Sequence, residues 1–339
     1  MSLRADFTTA GDAAQNMPAE LERWLARHRE ELTGYCYRML ASGFDAEDAV
    51  QETILRAWRA FERFDAGRAT LRSWLYTIAT NICFDMLRGA RRRARATDMG
   101  PAAQVGAPLG APLPEDAWVQ PLPDGRVLPE GGDPAELAVV RETTRLAFVA
   151  VLQHLPPRQR AVLILRDVLC WTAAEVAELL GATVASVNSA LQRARSTIRA
   201  HEIDPADPFQ PLDKAQQDLL ARYCAAFERY DVERLVSLLH EDATMSMPPF
   251  AWWLRGRAEI RRALLGSDGT CRDSRLVPTA ANGSPAFAQY IPAGPGGAYQ
   301  PWALQVIEVR SGRITAMVSF LDAARLFPLF GVPAHYGPG

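Results

Sequence analysis

The sequence lacks three features that would each have placed it in a broad class of protein. No apolar run reaches the roughly 18 residues of a membrane-spanning helix. The N-terminal stretch has no apolar core of a signal peptide, so we expect a cytoplasmic protein. No Cys-x-x-Cys pair occurs, so we expect isolated thiols in a reducing compartment, with no metal site. The five cysteines are Cys36, Cys83, Cys170, Cys224 and Cys271.

Lysine is also nearly absent, because Lys214 is the single lysine and arginine carries almost all of the positive charge. The formal net charge of −2 hides an alternation of charged blocks. Basic blocks cover 54–111 (10 Arg, 4 acids) and 143–200 (7 Arg, 3 acids), whereas acidic blocks cover 1–53 (5 Arg, 10 acids) and 112–142 (2 Arg, 7 acids). The overall balance therefore says nothing against nucleic-acid binding. A length of 339 residues favours two or three domains.

Residues 156–200 contain the pattern of two short helices joined by a tight turn. Thr172 and Glu175 have capping-box spacing, Gly181 suits the turn, and Thr183 can cap the second helix. Apolar residues recur along that second helix at Val187, Leu191, Ala194 and Ile198. Its opposite face is small and polar at the start and cationic further on, as in a helix that enters a major groove. An ordinary amphipathic hairpin with a solvated polar face has the same periodicity.

Two further amphipathic helices are expected earlier, over 45–61 and 71–88. Asp48, Gln51 and Glu52 lie to the side of the first helix, where solvation alone would explain them. Around the second helix are the residue types that capture of unpaired bases needs: a pocket, amide groups and arginines. These candidates are Phe64, Arg68, Asn81, Asp85, Arg88, Arg91 and Arg92. Trp74 and Tyr76 are expected in the core rather than as stacking platforms.

These stretches resemble two regions of the extracytoplasmic-function sigma factors of RNA polymerase, in the right order. Region 4 is carried by Leu155-Pro156-Pro157-Arg158-Gln159-Arg160, Ala174-Glu175-Val176-Ala177 and Leu191-Gln192-Arg193-Ala194-Arg195. Region 2 is carried by Leu71-Arg72-Ser73-Trp74-Leu75-Tyr76-Thr77-Ile78-Ala79 and by Asn81, together with the acidic surface at 48–52. The resemblance implies a protein that directs promoter choice by core polymerase, with no catalytic residue and no cofactor of its own.

The resemblance also implies a role for each candidate residue. Asp48, Gln51 and Glu52 would dock on the clamp helices of the polymerase β′ subunit, and region 4 would meet the β flap. The residues around the second helix would bind the −10 element, with Asn81 reading a base. Reading of the −35 element would fall to Thr183, Ala185, Ser186, Asn188, Ser189, Gln192 and Arg193.

Residues 211–330 read as a separate α+β domain, with helices first and a curved antiparallel sheet after. This part resembles the SnoaL-like, NTF2-like cone fold, including Asp242-Ala243-Thr244 and the run Leu321 to Phe327. Ketosteroid isomerases of that fold carry an aspartate base where Met247 stands, so we expect no such chemistry. An apolar pocket for a small ligand or a regulatory protein is a candidate, although the same side chains could simply fill the cone. They are Met245, Met247, Trp252, Trp253, Tyr290 and Trp302.

The expected organisation is therefore two all-α sigma domains followed by the cone domain. The boundaries are a disordered N-terminus at 1–18, region 2 at 19–95, an acidic Pro/Gly-rich linker at 96–136, region 4 at 137–201, a short linker at 202–210, the cone domain at 211–330 and a tail at 331–339. We expect the cone domain to regulate the sigma modules in cis. Two rivals remain: a one-component repressor that senses a ligand, and an isomerase or hydrolase fused to a DNA-binding module.

Overall fold

A computed structural model describes residues 19–128, 133–201, 213–267, 269–294 and 298–335. The predicted disordered N-terminus at 1–18 and the linker at 202–210 lie outside the described residues, as does the end of the tail from 336. The chain forms two compact units. The first comprises the chain up to Leu40, Phe44–Ala90 and Leu155–Arg199, and the second comprises Ala41–Gly43, Arg91–His154 and Ala200–Gly339. Within the described ranges no helix has the length and apolar character to cross a membrane.

The first unit is all-helical. Its first three helices are α1 (Ala19–Leu40), α2 (Gly43–Ala60, with its first residue in the other unit) and α3 (Leu71–Met86). The next two helices along the chain, α4 (Pro134–Thr144) and α5 (Leu146–Leu152), belong to the second unit. The first unit is completed by α6 (Pro157–Leu163), α7 (Ala173–Leu179) and α8 (Val184–Ala200, with its last residue in the other unit). Short 3-10 and π-helical turns cover Phe61–Arg63 and Ile164–Val168. One apolar face from each of α1, α2 and α3 meets in a core around Leu21, Leu25, Ala57 and Leu75. Burial of these faces is what stabilises helices of this length.

The helix-turn-helix forms as its sequence predicts. The Glu175 N–H donates to Thr172 Oγ1 (3.3 Å), and the Thr172 N–H donates to the Glu175 carboxylate (2.7 Å), which completes the capping box. Gly181 has a φ of +57°, a left-handed conformation that glycine adopts without strain. The Ser186 N–H donates to Thr183 Oγ1 (3.2 Å) at the start of α8. Val187, Leu191 and Ala194 are buried, so the opposite face of α8 points outward.

The second unit is built on a six-stranded sheet with strand order β2-β1-β6-β5-β4-β3. The strands are β1 (Leu239–Ser246), β2 (Trp253–Arg255), β3 (Arg275–Ala281), β4 (Ser284–Pro292), β5 (Tyr299–Arg310) and β6 (Arg313–Phe320). Helices α9 (Lys214–Glu228), α10 (Val232–Ser237) and α11 (Arg257–Gly266) pack on one face, and α12 (Ala323–Leu329) contacts β5. A tight turn at Ser311-Gly312, a residue pair that suits a hairpin, joins β5 to β6, with both residues at positive φ. The short strand β2 escaped the sequence analysis because its neighbouring tryptophans and proline-rich approach show no strand alternation.

The stretch predicted as a linker differs from that expectation, because its described residues pack on the cone domain. The Ala103 N–H donates to the Trp253 carbonyl (2.8 Å), and the Leu113 N–H donates to the Pro249 carbonyl (2.8 Å). Trp118 is buried in a cluster with Trp253, which explains an aromatic residue inside a proline-rich stretch. The sequence could not show this, since the partners lie more than a hundred residues further along the chain.

Helices α4 (Pro134–Thr144) and α5 (Leu146–Leu152) also lie in the second unit, although the sequence analysis placed most of them with the helix-turn-helix at 137–201. Asn282 Nδ2 donates to the Thr144 carbonyl (2.7 Å). The Arg145 guanidinium, 4% exposed, lies 3.5 Å from the Glu308 carboxylate on β5. Gly283 allows the close approach, because a Cβ there would lie 2.8 Å from the Arg141 carbonyl oxygen. Tertiary contacts at the β3–β4 turn therefore decide where these helices pack.

Candidate nucleic-acid interface

The outward face of α8 carries the residues predicted to read DNA. Thr183, which caps the helix, is exposed. So are the other predicted residues, which are Ala185, Ser186, Asn188, Ser189, Gln192 and Arg193. Arg195, on the same helix, is instead paired with Asp167 (2.7 Å), which raises the pKa of that guanidinium. Arg193 therefore differs from Arg195: it is exposed on the outward face, whereas the Arg195 guanidinium is held by Asp167. The small residues at the start of α8 let the helix approach base edges, and its later arginines suit phosphates.

The acidic surface on α2 forms a second exposed patch in the first unit. Asp48, Gln51 and Glu52 are spaced at i, i+3 and i+4, so they share one side of the helix. Asp48 and Gln51 are exposed, whereas Glu52 is partly covered by its ion pair with Arg56 (2.6 Å). An exposed i, i+4 pair of this kind contributes only about 0.3–0.5 kcal/mol, so it does not prevent Glu52 from meeting a partner.

The residues predicted to bind unpaired bases fall into separate places. Asn81, Asp85 and Arg88 lie at spacings of 4 and 3 on an exposed stripe at the end of α3, with Arg88 paired to Asp85 (2.7 Å). Phe64 lies near the start of α3, where its ring is 5.0 Å from that of Trp74. Arg68 is exposed in the same loop and paired to Asp65 (3.4 Å). A helical rise of 1.5 Å per residue puts about 10 Å between Trp74 and Asn81, which leaves room for more than one nucleotide.

The arginine run that follows α3 belongs to the second unit. Arg91 is exposed there. Arg92 Nη1 lies 2.7 Å from Nδ1 of His154. Burial, followed by the positive charge of Arg92, lowers the pKa of His154, so the ring is a neutral acceptor at pH 7. Arg92 is therefore already engaged by a protein group, which sequence reasoning did not anticipate.

Sequence reasoning also missed a cluster that joins the helix-turn-helix to the other helices of the first unit. Trp171, just before the cap of α7, is 4% exposed, and its ring lies 5.1 Å from that of Tyr76 on α3. The Arg72 guanidinium lies 5.1 Å from the Trp171 ring and donates to Glu31 on α1 (2.8 Å). Tyr76 is buried and donates its hydroxyl to the same carboxylate (2.7 Å). We call Glu31, Arg72, Tyr76 and Trp171 the interhelix cluster.

A second connection in the first unit is the side chain of Arg160 on α6. Its guanidinium donates to the carbonyls of Met39 on α1 and of Leu155 (3.1 Å to the latter). Burial lowers the pKa of Arg160 to about 10, so it stays charged at pH 7 and its hydrogen bonds to carbonyls are charge-assisted. The motif that carries the region 4 resemblance thus includes a residue that holds two helical modules together.

The second unit contains a cavity of about 640 Å³ that is partly open to solvent and is lined by residues of the sheet and of its helices. Four of the six predicted pocket residues line it: Met245, Met247, Trp252 and Trp302. Trp253 and Tyr290 do not. Neighbouring residues of a strand point to opposite faces, so Trp253 packs on Trp118 and Tyr290 packs on Phe327. Two titratable residues at the start of β1, His240 and Asp242, do not line the cavity, and the Asp242 N–H donates to Nδ1 of His240 (3.2 Å).

The polar floor of this cavity was missed by sequence reasoning. Gln289 and Gln305 are 1% and 2% exposed to solvent, and both line the cavity. Tyr223 donates to Gln305 (2.7 Å), which donates to Gln289 (2.8 Å), which in turn donates to Ser274 (3.1 Å). A glutamine inside an apolar strand is the signal that could have found them, because buried amides need partners.

Comparison with known proteins agrees with this geometry. Residues 24–93 match the Sigma-70 region 2 family, residues 145–198 match the Sigma-70 region 4 family, and residues 220–317 match the SnoaL-like domain family. The chain is 47% identical over 313 residues to the ECF RNA polymerase sigma factor SigG of Mycobacterium tuberculosis, covering 90% of this chain and 82% of that one. The chain belongs to the extracytoplasmic-function (ECF) family of RNA polymerase sigma factors.

Other ECF sigma factors extend the comparison to the whole fold. SigJ of Mycobacterium tuberculosis is 31% identical over 245 residues, which is 70% of each chain. The crystal structure of SigJ superposes with a TM-score of 0.57 at 25% identity, covering 93% of this chain and 99% of that one. The expected order of two helical sigma domains and a C-terminal α+β domain is thereby confirmed, as is the resemblance drawn from the motifs. The match to the Sigma-70 region 4 family begins at residue 145. It therefore includes α5, which packs in the second unit.

Proposed function

We propose that this ECF sigma factor docks on core RNA polymerase through Asp48, Gln51 and Glu52 and reads its promoter with two separate faces. The stripe at Asn81 would take the −10 element, and the outward face of α8 would take the −35 element. The observation that carries the proposal is the exposure of both faces together with the two family matches. Since sigma factors work with the polymerase, we further propose that the protein acts in the cytoplasm.

The interhelix cluster sets a condition on this function. Promoter elements about 25 base pairs apart along DNA are separated by roughly 85 Å, at about 3.4 Å per base pair. In this structure α7 instead lies against α3, with the Tyr76 and Trp171 rings 5.1 Å apart. The two helical modules must therefore separate before both elements are read. The packed state is one that polymerase binding has to open.

We assign the C-terminal domain a regulatory role rather than a catalytic one. Met247 occupies the position of the expected base, and a thioether cannot abstract a proton. Cys224 offers no nucleophile either, because burial raises the pKa of its thiol to about 12. The domain also holds the predicted linker and α5, which flank the two DNA-reading modules in the chain. Its effect on transcription would act through these segments.

Run-off transcription with purified core polymerase on genomic fragments tests the proposal. Charge reversal at Asp48 and Glu52, both to lysine, should weaken capture of core polymerase while the helical circular dichroism is unchanged. The matched control reverses Glu22 and Glu62, which are exposed in the same unit and lie outside the acidic surface. Equal capture by the two double variants would refute the docking assignment.

The same assay separates the two DNA-reading faces. Asn81→Ala should reduce open-complex formation at the −10 element, and Arg193→Ala should weaken −35 recognition, by about 1–3 kcal/mol if it contacts a base bidentately. Arg195→Ala is a matched control, because that guanidinium is held by Asp167. Should a −35 base change affect the wild type and Arg193→Ala equally, Arg193 has no part in the readout.

A further inference from the structure

The cavity of the second unit has a wall that the C-terminal domain does not itself supply. Part of its lining comes from the predicted linker, at Val105, Gly106, Ala107, Pro108 and Leu109. This segment is anchored on both sides. Before it, the Ala103 N–H donates to the Trp253 carbonyl and the Trp253 indole N–H donates to the Gly100 carbonyl (3.0 Å); after it, the Leu113 N–H donates to the Pro249 carbonyl. We call residues 104–112 the cavity strap.

Most of the strap is exposed, over 106–112, whereas Val105 is partly buried and packs against the core of the cone domain. The Ala107 N–H donates to the Gln104 carbonyl (3.0 Å) within a turn, and Gly106 and Gly110 have positive φ values. Leu109 is apolar and lines the cavity, yet its side chain is 36% exposed to solvent. A segment that is anchored at its ends and mostly exposed between them can be displaced at low cost. The strap is thus placed to respond to what the cavity contains.

The lining defines the chemistry of an occupant. Among the described residues that line the cavity, none is Asp, Glu, Lys, Arg or His. Burying an ionised group without a partner costs several kcal/mol, so a charged ligand is disfavoured there. The walls from Phe227, Leu235, Met245 and Leu264 offer apolar contact. A volume of about 640 Å³ is in the range of sites for small molecules.

Two features add a polar requirement. The Trp252 indole N–H is buried and has no hydrogen-bond partner, although Trp252 lines the cavity. The Gln289 and Gln305 amides lie on the floor: Gln305 donates one amide hydrogen to Gln289 and Gln289 donates one to Ser274, which leaves a second amide hydrogen on each side chain. An oxygen acceptor on a ligand would satisfy such donors, which otherwise cost free energy in the buried state.

We propose that this cavity binds an uncharged, mainly apolar small molecule that carries a carbonyl or hydroxyl oxygen, and that the cavity strap closes over it. The Trp252 N–H donates to the ligand oxygen, and Leu109 and Val105 cover the apolar body. The binding site stands by itself. That its occupancy controls transcription rests on the regulatory role proposed above, because the strap is part of the segment between the two sigma modules.

Binding is tested on the full-length protein with Nile red, a neutral apolar dye that carries a carbonyl oxygen. We expect saturable one-to-one binding with a blue shift of the emission. Decanol should displace the dye, whereas decanoate, of the same length but anionic, should not. Absence of saturable binding, or equal competition by decanoate, would overturn the proposal.

Variants locate the site. Trp252→Phe keeps a ring but removes the N–H, and should weaken dye binding about three- to tenfold. Ala263→Phe fills the cavity from α11 and should abolish binding, with the melting temperature checking that the fold survives. Leu109→Ser should weaken binding, while Leu265→Ser, an exposed leucine of α11 outside the cavity lining, should not. Dye binding that is indifferent to Ala263→Phe and Leu109→Ser would place the dye elsewhere and refute the site.

Amide hydrogen exchange completes the test of the strap. Decanol should slow exchange at 105–109 several-fold in the wild type and have no such effect in Ala263→Phe. Unchanged exchange at 105–109 in the wild type at a decanol concentration that displaces the dye would refute strap closure. Transcription then separates the two proposals: if decanol binds but leaves run-off transcription unchanged, the site stands and its regulatory role fails.

Discussion

Burial of a single carboxyl group, that of Asp124, makes the stability of the fold depend on pH. Asp124 lies in the stretch predicted as a linker. Its Oδ1 accepts a hydrogen bond from the Gly283 N–H (2.8 Å). Burial raises the pKa of this carboxyl to about 6, although the Gly283 bond and the charge of Arg141 both act to lower it. The folded pKa thus exceeds the unfolded value of about 3.9. The stabilising contribution of this group is complete below pH 4 and is lost as the pH rises through 6.

Asp124→Asn should therefore stabilise the protein at neutral pH. The amide keeps an acceptor oxygen for Gly283 and carries no charge to desolvate. We expect the free energy of unfolding to rise by about 1–3 kcal/mol at pH 7.5 relative to the wild type, with the difference vanishing near pH 4. Urea denaturation at pH 4, 6 and 7.5 measures it. Asp218→Asn, an exposed change on α9, is the control and should show no such difference. A less stable Asp124→Asn at pH 7.5 would mean that the ionised carboxylate is needed.

At the scale of elements, the contact between α3 and α7 decides how easily the first unit opens. Trp171 contributes a large buried ring with Tyr76 on one side and Arg72 on another. Such aromatic and cation–π contacts add about 0.5–2 kcal/mol beyond the area that they bury. They are lost when α7 leaves α3. Under the proposed function, which requires this separation, the interhelix cluster opposes promoter binding and not the folding of each helix.

Trp171→Leu should loosen this contact while keeping an apolar side chain under α7. We expect core polymerase to associate several-fold faster, with the melting temperature lower by a few degrees and the helical circular dichroism unchanged. Stopped-flow association with labelled core measures the rate. Trp24→Leu is the matched control, because Trp24 packs with His28 on α1 and is not in the cluster. If both variants change association alike, the effect is general destabilisation and the cluster is not a barrier.

At the scale of the whole molecule, the C-terminal domain is a scaffold for segments that sequence alone assigned elsewhere. Trp118, Leu122 and Leu146 are buried in the second unit. The apolar run near the end of the chain is used within the same unit, where Leu326 and Phe327 are buried and the Val332 N–H donates to the Phe327 carbonyl (3.1 Å). Removing the domain would expose the apolar side chains of the linker and of α5.

A chain truncated near residue 205 should still capture core polymerase but change promoter-dependent transcription severalfold. Its linker should become sensitive to chymotrypsin at Trp118, since the cluster with Trp253 is gone. Met247→Asp should affect transcription less than deletion of 326–339, because it changes one cavity residue and spares the buried α12. Truncated protein that transcribes at the full-length rate would remove the regulatory role. Turnover of a substrate by the full-length protein, lost in the truncated one, would replace that role with catalysis.

Local sequence patterns were enough to predict the caps, the turns and the protein family. The capping box at Thr172, the turn at Gly181 and the Ser311-Gly312 hairpin all form as their residues predict, because caps and turns depend on a few neighbouring residues. The motifs of regions 2 and 4, which are also short runs of neighbouring residues, predicted the family to which the chain belongs. The roles of the promoter-reading residues stay predictions.

Contacts between residues far apart in the chain could be seen only in the folded molecule. Trp171 on Tyr76, Trp118 on Trp253 and the strap over the cavity join positions that no periodicity relates. The pocket prediction was partly misplaced for the same reason. The β4–β5 register shifts between Gln289 and Tyr290, so Gln289 pairs with Ala303 and Tyr290 with Pro301, which leaves Trp302 as an extra residue. Such a bulge changes which side chains share a face, and it depends on the pairing of two strands rather than on either one alone.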